Sequence, residues 1–194
     1  MNQSTDTLAP ATGQPWTSRA AVGAATAAPL ALRVATPDDG PGILALIMSH
    51  REEGHLLPRT LSDITARAHR FVVADRAGAI VACAELAPLG SDLAEVRSLV
   101  VDGSERGAGL GRDLVGELWE RGAAAGFRRL CAFTHSPAWF VRMGFSIVPH
   151  LWLSDKVLAD CVRCPIFRMC GQYAVVASLD EAVGPVARTS SRPS

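Results

Sequence analysis

The sequence predicts a mixed α/β domain, and three observations carry this prediction. Segments with the composition of strands alternate along the chain with segments of helical periodicity. A turn at 75–78 joins two strand-like segments directly, as in a β-hairpin. Further along, the strand-like run 95–101 leads through a glycine-rich loop into a long helical pattern. Hairpins therefore come early in the chain and crossover connections come late.

Composition indicates one folded domain between two tails. The chain has 194 residues and a formal net charge of zero, so it carries no overall basic surface for nucleic acid or anionic membranes. Residues 1–29 and 180–194 are rich in small and polar residues without a sustained period. We expect a disordered leader and a disordered tail there. The domain at 30–179 is long enough to bury a core without disulfides.

Cysteine content and hydropathy indicate a reducing compartment. The five cysteines are an odd number in a chain with no recognisable secretion signal, which argues against a disulfide framework. The apolar stretch 20–32 is mostly alanine and contains Pro29, unlike the leucine-rich core of a signal peptide. No stretch reaches the roughly 20 apolar residues of a membrane span. We expect a cytoplasmic protein with neither membrane nor nucleic-acid partners.

The first half of the domain predicts a strand, two helices and a hairpin. Thr36 and Pro37 mark the first helix start, because Thr suits the cap and Pro suits the first helical position. Thr60 or Ser62 caps the second helix. The predicted elements are a strand at Leu30–Ala35, helices starting near Thr36 and Thr60, and strands at Phe71–Ala74 and Ala79–Leu86.

The second half predicts crossovers after the strand at Glu95–Val101. The helix that follows runs to about Ala125, with Gly126 just past its end. The remaining predicted elements are a strand at Arg128–Thr134, a short helix at Pro137–Met143, a strand at Phe145–Val148, a helix-like turn at Asp155–Val162 and a strand at Tyr173–Leu179.

The loop between the central strand and the long helix is suited to an anion. Gly107, Gly109 and Gly111 allow the backbone to approach a ligand closely. The N-terminus of a helix offers free N–H groups and a positive dipole end. Arg106 and Arg112 would add charge-assisted hydrogen bonds to the same anion. We predict that this loop holds the pyrophosphate of a nucleotide-like cofactor; glycines serving only tight packing are the alternative.

Two motifs resemble the GNAT family of N-acetyltransferases. Arg106-Gly107-Ala108-Gly109-Leu110-Gly111 matches the Arg/Gln-x-x-Gly-x-Gly/Ala loop of that family. The segment 139–145, Trp-Phe-Val-Arg-Met-Gly-Phe, is similar to its aromatic-aromatic-x-x-x-Gly-Phe motif. The resemblance covers 30–179. It implies a GNAT-like fold whose mostly antiparallel, twisted sheet is splayed at the cofactor site, with acetyl-CoA as co-substrate.

The resemblance also implies which residues hold acetyl-CoA. In the family, the loop N–H groups bind the pyrophosphate and the strand backbone pairs with the pantetheine arm. The expected cofactor-binding residues are Leu99, Val100, Val101, Arg106, Gly107, Ala108, Gly109, Leu110, Gly111, Arg112 and Thr134.

Three further segments look like the N-acetylglutamate synthases, namely 93–99, 133–140 and 156–167. The implied reaction is acetyl transfer to the α-amine of an amino acid, with L-glutamate as the first choice, in the opening step of arginine synthesis. A GNAT acting on another small amine or a protein N-terminus is one alternative. A module that binds acetyl-CoA without turnover is another. A small-molecule substrate is the expected partner, and a homodimer is left open.

Glu95 is the candidate general base, acting directly or through a water. A partly desolvated carboxylate beside the cofactor suits that role. The alternative is that Glu95 pairs with Arg97 or caps the solvent face of the sheet. Because residues alternate along a strand, Glu95, Arg97 and Leu99 are expected on one face. Arg97 would then grip a substrate carboxylate, or else form a structural salt bridge with Glu95.

The remaining substrate-binding candidates are Lys156 and Ser136, with Arg163 as a further cation. Surface charge is the favoured interpretation of both Lys156 and Arg163. Many GNAT enzymes place a tyrosine, which protonates the leaving thiolate, where this chain has Phe140. His135 or Ser136 is an alternative proton donor in place of the missing tyrosine. A backbone N–H near Leu99 is the expected oxyanion donor.

Three cysteines near the end of the domain raise the question of a metal site. The ligand types that lie close in sequence are Cys161, Cys164 and Cys170, with Asp160 and His150 as candidate fourth ligands. This set is incomplete for a structural zinc site, so reduced thiols in an irregular turn are favoured and no metal is predicted. Cys83 and Cys131 fall in strands and are expected in the core.

Overall fold

The architecture is taken from a computed structural model, which describes residues 29–51, 56, 58–164 and 167–179. The elements in chain order are β1 (Leu30–Val34), α1 (Gly40–Ser49), α2 (Leu61–Ala66), β2 (Phe71–Arg76), β3 (Ala79–Pro88), β4 (Leu93–Val101), α3 (Leu110–Ala124), β5 (Arg129–Thr134), α4 (Pro137–Val141), β6 (Ser146–Val148), α5 (Ser154–Ala159) and β7 (Tyr173–Ser178). Short 3₁₀ turns fill several of the connections.

The strands form one sheet in the order β1-β2-β3-β4-β5-β7-β6. Every neighbouring pair is antiparallel except β4 and β5, which run parallel. The chain needs α3 to connect these two, because parallel neighbours require a crossover. This confirms the mixed α/β class and the mostly antiparallel sheet.

The sheet opens at its centre. The pairing of β4 with β5 ends at Glu95 and Cys131, so the later part of β4 leaves β5. On its other edge β4 carries a β-bulge: Cys83 is opposite Val100, yet Glu85 is opposite Arg97. Ser98 lies in this bulge with a φ of 51°. A bulge of this kind bends the strand and redirects its side chains.

Helices cover both faces of the sheet. The face against α3 and α4 buries the largest cluster, in which Leu114, Leu118 and Phe140 are central. The opposite face packs Ile43 and Ile47 of α1, with Ile64 of α2, against the first strands. A smaller cluster lies between β5, β7 and the turn before α5. Cys83 and Cys131 are buried, as predicted.

The predicted element order is confirmed, with shifts of one or two residues at most boundaries. Thr60, rather than Ser62, caps α2 by accepting a hydrogen bond from the Asp63 N–H. Gly126 follows α3 with a φ of 85°, as the predicted end of that helix requires. The expected leader and tail lie outside the described residues, apart from Pro29. None of the helices that the structure describes is long and apolar enough to cross a membrane.

Candidate active site

Two cavities meet where the sheet opens. The larger is a cleft of about 1130 Å³ beside the start of α3, and the smaller is a pocket of about 340 Å³ beside Glu95. The volume of the pocket lies in the range of small-molecule sites, and that of the cleft lies slightly above it. The two cavities share the lining residues Leu56, Leu99, Thr134, His135 and Phe140. A ligand in the cleft can therefore reach one in the pocket.

The glycine-rich loop forms one wall of the larger cleft. Gly107 has a φ of 85° and Gly109, the N-cap of α3, a φ of 93°. Side chains other than glycine rarely adopt these values. The first N–H groups of an α-helix have no partner within the helix, so the loop and α3 together present donors to the cleft.

Cationic side chains extend this wall. Arg106 and Arg112 both line the cleft and both are exposed. The Nε of Arg106 donates to the Val101 carbonyl at 3.2 Å, which anchors the side chain at the end of β4. Trp139 packs over the helix start so closely that a Cβ added to Gly111 would lie 3.3 Å from its ring. These residues fit a phosphate-bearing ligand laid against the helix N-terminus.

The expected cofactor residues come together here with one exception. Among the described residues, every one of the eleven except Ala108 lines the larger cleft. Ala108 is exposed at the loop tip. Thr134 uses its hydroxyl to accept the Ser136 N–H at 2.9 Å, which holds the turn between β5 and α4.

The smaller pocket is built around Glu95, which is buried in β4. Lys156 Nζ lies 2.8 Å from each of its carboxylate oxygens. Arg97 donates to the same carboxylate from Nε at 2.9 Å and from Nη2 at 2.6 Å. A second carboxylate, that of Asp160, accepts from Arg97 at 2.6 Å and from Lys156 at 2.8 Å. These four side chains form one ionic cluster on the pocket wall.

The charges in this cluster support one another. Burial alone would raise the pKa of Asp160, but the hydrogen bond from Lys156 and the charge of Arg97 outweigh it and hold that pKa below its usual range. Burial likewise opposes the charged form of Arg97, and the nearby Glu95 carboxylate raises the pKa of that guanidinium above its usual value. Arg97 and Asp160 are therefore both charged at neutral pH.

Arg59 is a site residue that the sequence did not single out. Its Nη1 donates to Glu85 at 2.7 Å and to the Ser98 hydroxyl at 3.1 Å, and the guanidinium lies over the Phe71 ring. Its Nη2 is buried without a hydrogen-bond partner among the described residues, and Arg59 lines the smaller pocket. A single arginine between Pro58 and the cap Thr60 gives no sequence signal that it folds inward.

Two expectations about the residues around Glu95 are wrong. The interpretation of Lys156 as surface charge is wrong, because its side chain is buried between Glu95 and Asp160; Arg163 is exposed. The expectation that Leu99 shares a face with Glu95 and Arg97 is also wrong. The bulge at Ser98 shifts the alternation, so Leu99 packs with Val96 against the α3 side.

Neither Phe140, at the position where the family has a tyrosine, nor Ser136 offers a proton donor in the smaller pocket. Phe140 is buried and lines both cavities, whereas Tyr173 is half exposed and lines neither. Ser136 lines the larger cleft rather than the pocket. Among the described residues, His135 is the ionisable side chain that lines both cavities.

The thiols near α5 do not form a metal site in the part of the chain that the structure describes. No group of three or more His, Cys, Asp or Glu side chains there could hold a metal ion. Cys161, Cys164 and Cys170 are free and partly exposed. Burial raises the pKa of the Cys161 thiol. Asp160, a candidate fourth ligand, instead binds Arg97 and Lys156.

Comparison with known proteins shows the family and agrees with the fold described above. The acetyltransferase (GNAT) domain family matches residues 67–147. An uncharacterized N-acetyltransferase of Chlorobaculum tepidum is 30% identical over 153 residues, which cover 79% of this chain and 99% of the relative. The amino-acid acetyltransferase of Ectopseudomonas mendocina is 34% identical over 116 residues, 59% of this chain. The chain spans 27% of the length of that relative.

Two solved structures have the same fold. The N-acetylglutamate synthase of Neisseria gonorrhoeae, complexed with coenzyme A and N-acetyl-glutamate, superposes with a TM-score of 0.68 at 23% identity, over 79% of this chain and 36% of that one. The Rv2747 protein of Mycobacterium tuberculosis, in complex with CoA and NLQ, gives a TM-score of 0.67 at 22% identity, over 76% and 98%. Both likenesses confirm the predicted architecture.

Proposed function

The chain belongs to the GNAT family of N-acetyltransferases, with acetyl-CoA as the acetyl donor, and we propose that its acceptor is the α-amine of an amino acid, first of all L-glutamate. The observation that carries this proposal is the smaller pocket, in which Arg59, Arg97 and Lys156 face a volume of about 340 Å³. A guanidinium binds a carboxylate in a bidentate fork, so the pocket suits a small acidic acceptor.

The position of this pocket supports transfer. It opens at Leu99 and Phe140 into the larger cleft, whose glycine-rich loop and helix start suit the pyrophosphate of acetyl-CoA. An acceptor held by its carboxylates in the pocket would therefore present its amine toward the junction of the two cavities. Positioning of this kind supplies much of the rate enhancement in a two-substrate reaction.

Each group along the two cavities is assigned one role in the reaction. Acetyl-CoA supplies the thioester carbonyl, at which a C–N bond to the amine forms and the C–S bond breaks. Glu95 takes the proton that the amine loses, directly or through a water. A backbone N–H near Leu99 stabilises the charge that develops on the carbonyl oxygen. Since Phe140 carries no hydroxyl, the departing thiolate takes its proton from water.

Several relatives support an amino-acid acceptor, since they are themselves amino-acid acetyltransferases. With glutamate as acceptor, the protein would act in the opening step of arginine synthesis in the cytoplasm. The proposed catalytic unit is the domain at 30–179. We assign acetyl-CoA to the cleft residues given above, the acceptor carboxylates to Arg97, Lys156 and Arg59, and leave assembly as a homodimer to measurement.

A non-catalytic module that binds acetyl-CoA is the second candidate, and Phe140 is the observation that favours it. Without a tyrosine at this position, the family's usual proton donor to the thiolate is missing. The thiolate of coenzyme A is nonetheless a good leaving group, so turnover does not require that donor. Free thiol released with any acceptor would exclude this candidate.

The decisive experiment is a panel of acceptors. The purified chain is incubated with acetyl-CoA and with L-glutamate, L-glutamine, L-aspartate, a polyamine or a short peptide, and released thiol is measured. Thiol release with glutamate, together with the acetylated amino acid seen by mass spectrometry, is the expected result. Activity on the polyamine or peptide with none on glutamate or glutamine would overturn the proposal. Binding of acetyl-CoA without thiol release would favour the module.

A further inference from the structure

Two carboxylates share the same two cations in the smaller pocket. The Glu95 and Asp160 carboxylates each accept hydrogen bonds from both Arg97 and Lys156. Their surroundings differ. The side chain of Glu95 is 4% exposed, whereas that of Asp160 is 32% exposed and lines the pocket. Both carboxylates line the pocket, but that of Glu95 is held within the sheet and that of Asp160 is the more open to a ligand.

The two cations of the cluster can neutralise one further carboxylate in addition to that of Glu95. Arg97 and Lys156 carry two positive charges, and Glu95 neutralises one of them. Arg59 is neutralised separately by Glu85 at 2.7 Å. In the free protein the remaining positive charge is met by Asp160. A substrate carboxylate that binds Arg97 and Lys156 would lie against the Asp160 carboxylate. Two negative charges in contact repel each other.

The backbone shows which of the two can give way. Glu95 lies within β4, opposite Ala87 of β3 and Cys131 of β5, so its position is fixed on both sides. Asp160 is the C-cap of α5, a helix of six residues, and a 3₁₀ turn follows it. Both of its ion-pair contacts fall on one oxygen, Oδ2. A rotation of this side chain would release both cations without disturbing the sheet.

We propose that Asp160 is a specificity-determining residue whose carboxylate holds, in the free protein, the place that the acceptor carboxylate takes on binding. This inference rests on the proposed function, because it needs an acceptor with a carboxylate. Asp160 holds Arg97 and Lys156 in position before the acceptor binds. The acceptor must displace it, so affinity is lower than the two cations alone would provide. An amine without a carboxylate has nothing to exchange for Asp160.

The test is Asp160→Asn, measured by steady-state kinetics with the amino acid that the panel identifies. Removing the competing charge is expected to lower the KM for L-glutamate about five- to tenfold, while kcat and the KM for acetyl-CoA stay within about twofold. L-Glutamine and isoglutamine each lack one of the two carboxylates. One of these two amides lacks the carboxylate that Arg97 binds. For that amide, the KM of Asp160→Asn should not be lower than that of the wild type.

A binding measurement makes the test independent of turnover. Glutarate, a dicarboxylate without an amine, is added to both proteins and the Tm is followed. Glutarate should raise the Tm of Asp160→Asn more than that of the wild type. In the variant, Arg97 and Lys156 have no carboxylate at position 160 and therefore bind glutarate more tightly. If the wild type acetylates no amino acid, the proposed function fails, whereas the glutarate comparison still decides whether Asp160 competes with a carboxylate.

Opposite outcomes would overturn the inference. A higher KM or a collapse of kcat in Asp160→Asn would mean that Asp160 only positions Lys156 and Arg97. Equal glutarate shifts in both proteins would exclude competition. Asp92→Asn is the control, because Asp92 pairs with Arg129 on the surface at 3.0 Å. If Asp160→Asn lowers the Tm of the free protein by more than about 5 °C, Asp160→Ser is judged by the same criteria.

Discussion

Glu95 and Cys131 form the last residue pair between the parallel strands β4 and β5. Beyond this pair β4 leaves β5, and the two cavities occupy the opening. The candidate base therefore lies at the point where the ladder ends. Its backbone is held by neighbouring strands, while its carboxylate faces the pocket and is oriented by Arg97 and Lys156.

Replacing Glu95 by glutamine is expected to lower kcat at least about 100-fold, because the amide cannot accept the proton of the acceptor amine. Acetyl-CoA affinity, measured by titration calorimetry, should stay within about twofold, since Glu95 lines only the smaller pocket. Turnover of the variant should recover in part at high pH, where more of the free amine is neutral. Asp92, which pairs with Arg129 away from both cavities and is replaced by asparagine, is the control, and full activity of Glu95→Gln would refute the base assignment.

Replacing Gly109 by valine is expected to abolish acetyl-CoA binding. The φ of 93° at this N-cap is strained for a β-branched residue by about 1–3 kcal/mol, and the loop must move to relieve it. Gly78→Val is the matched control, because Gly78 has a φ of 85° in the β2–β3 turn, away from both cavities. Similar losses of Tm in both variants, with acetyl-CoA binding lost only in Gly109→Val, would support the assignment of the glycine-rich loop to the pyrophosphate. Normal binding by Gly109→Val would contradict it.

Arg59→Lys tests whether the buried guanidinium holds the acceptor. Lysine keeps the charge beside Glu85 but loses the fork, so the Nη2 donor is no longer available to a carboxylate. The expected result is an increase of about tenfold or more in the KM for the acceptor, with kcat little changed. Arg129→Lys changes the same chemistry in a surface pair and should leave KM unaltered. An unchanged KM in Arg59→Lys would assign Arg59 to stability alone.

A pH-dependent contribution to stability is expected from Asp39. Hydrogen bonds from Arg33 lower the pKa of this carboxyl to about 2, against 3.8 when unfolded. Because the folded pKa is the lower one, the contribution is present above pH 4 and is lost as the pH falls toward 2. Asp39→Asn should therefore lower the free energy of unfolding by about 1 kcal/mol at pH 7 and have little effect near pH 2.

Urea unfolding at several pH values measures this difference. The exposed neighbour Asp38, replaced by asparagine, provides the control. A destabilisation by Asp39→Asn that is the same at pH 2 and pH 7 would mean that Arg33 does not act through the charge of this carboxylate.

The sequence predicted the order of elements and most of the residues that line the larger cleft. Both depend on local sequence: strands follow from apolar β-branched runs, helix ends from caps, and the loop that precedes α3 from glycines between a strand and a helix. Ten of the eleven expected cofactor residues consequently line one cleft. The contact between Glu95 and Arg97 was also predictable, because two residues on the same strand face are neighbours by the pleat alone.

Only the tertiary structure shows the contacts that form the smaller pocket. Lys156 reaches Glu95 across 61 residues of chain, and Arg59 reaches Glu85 across 26, so no local pattern shows either contact. The bulge at Ser98 moved Leu99 to the other face, because one extra residue reverses the alternation that a sequence pattern assumes. A charged side chain is placed inside a protein by the distant partner that neutralises it, and that partner is known only once the chain is folded.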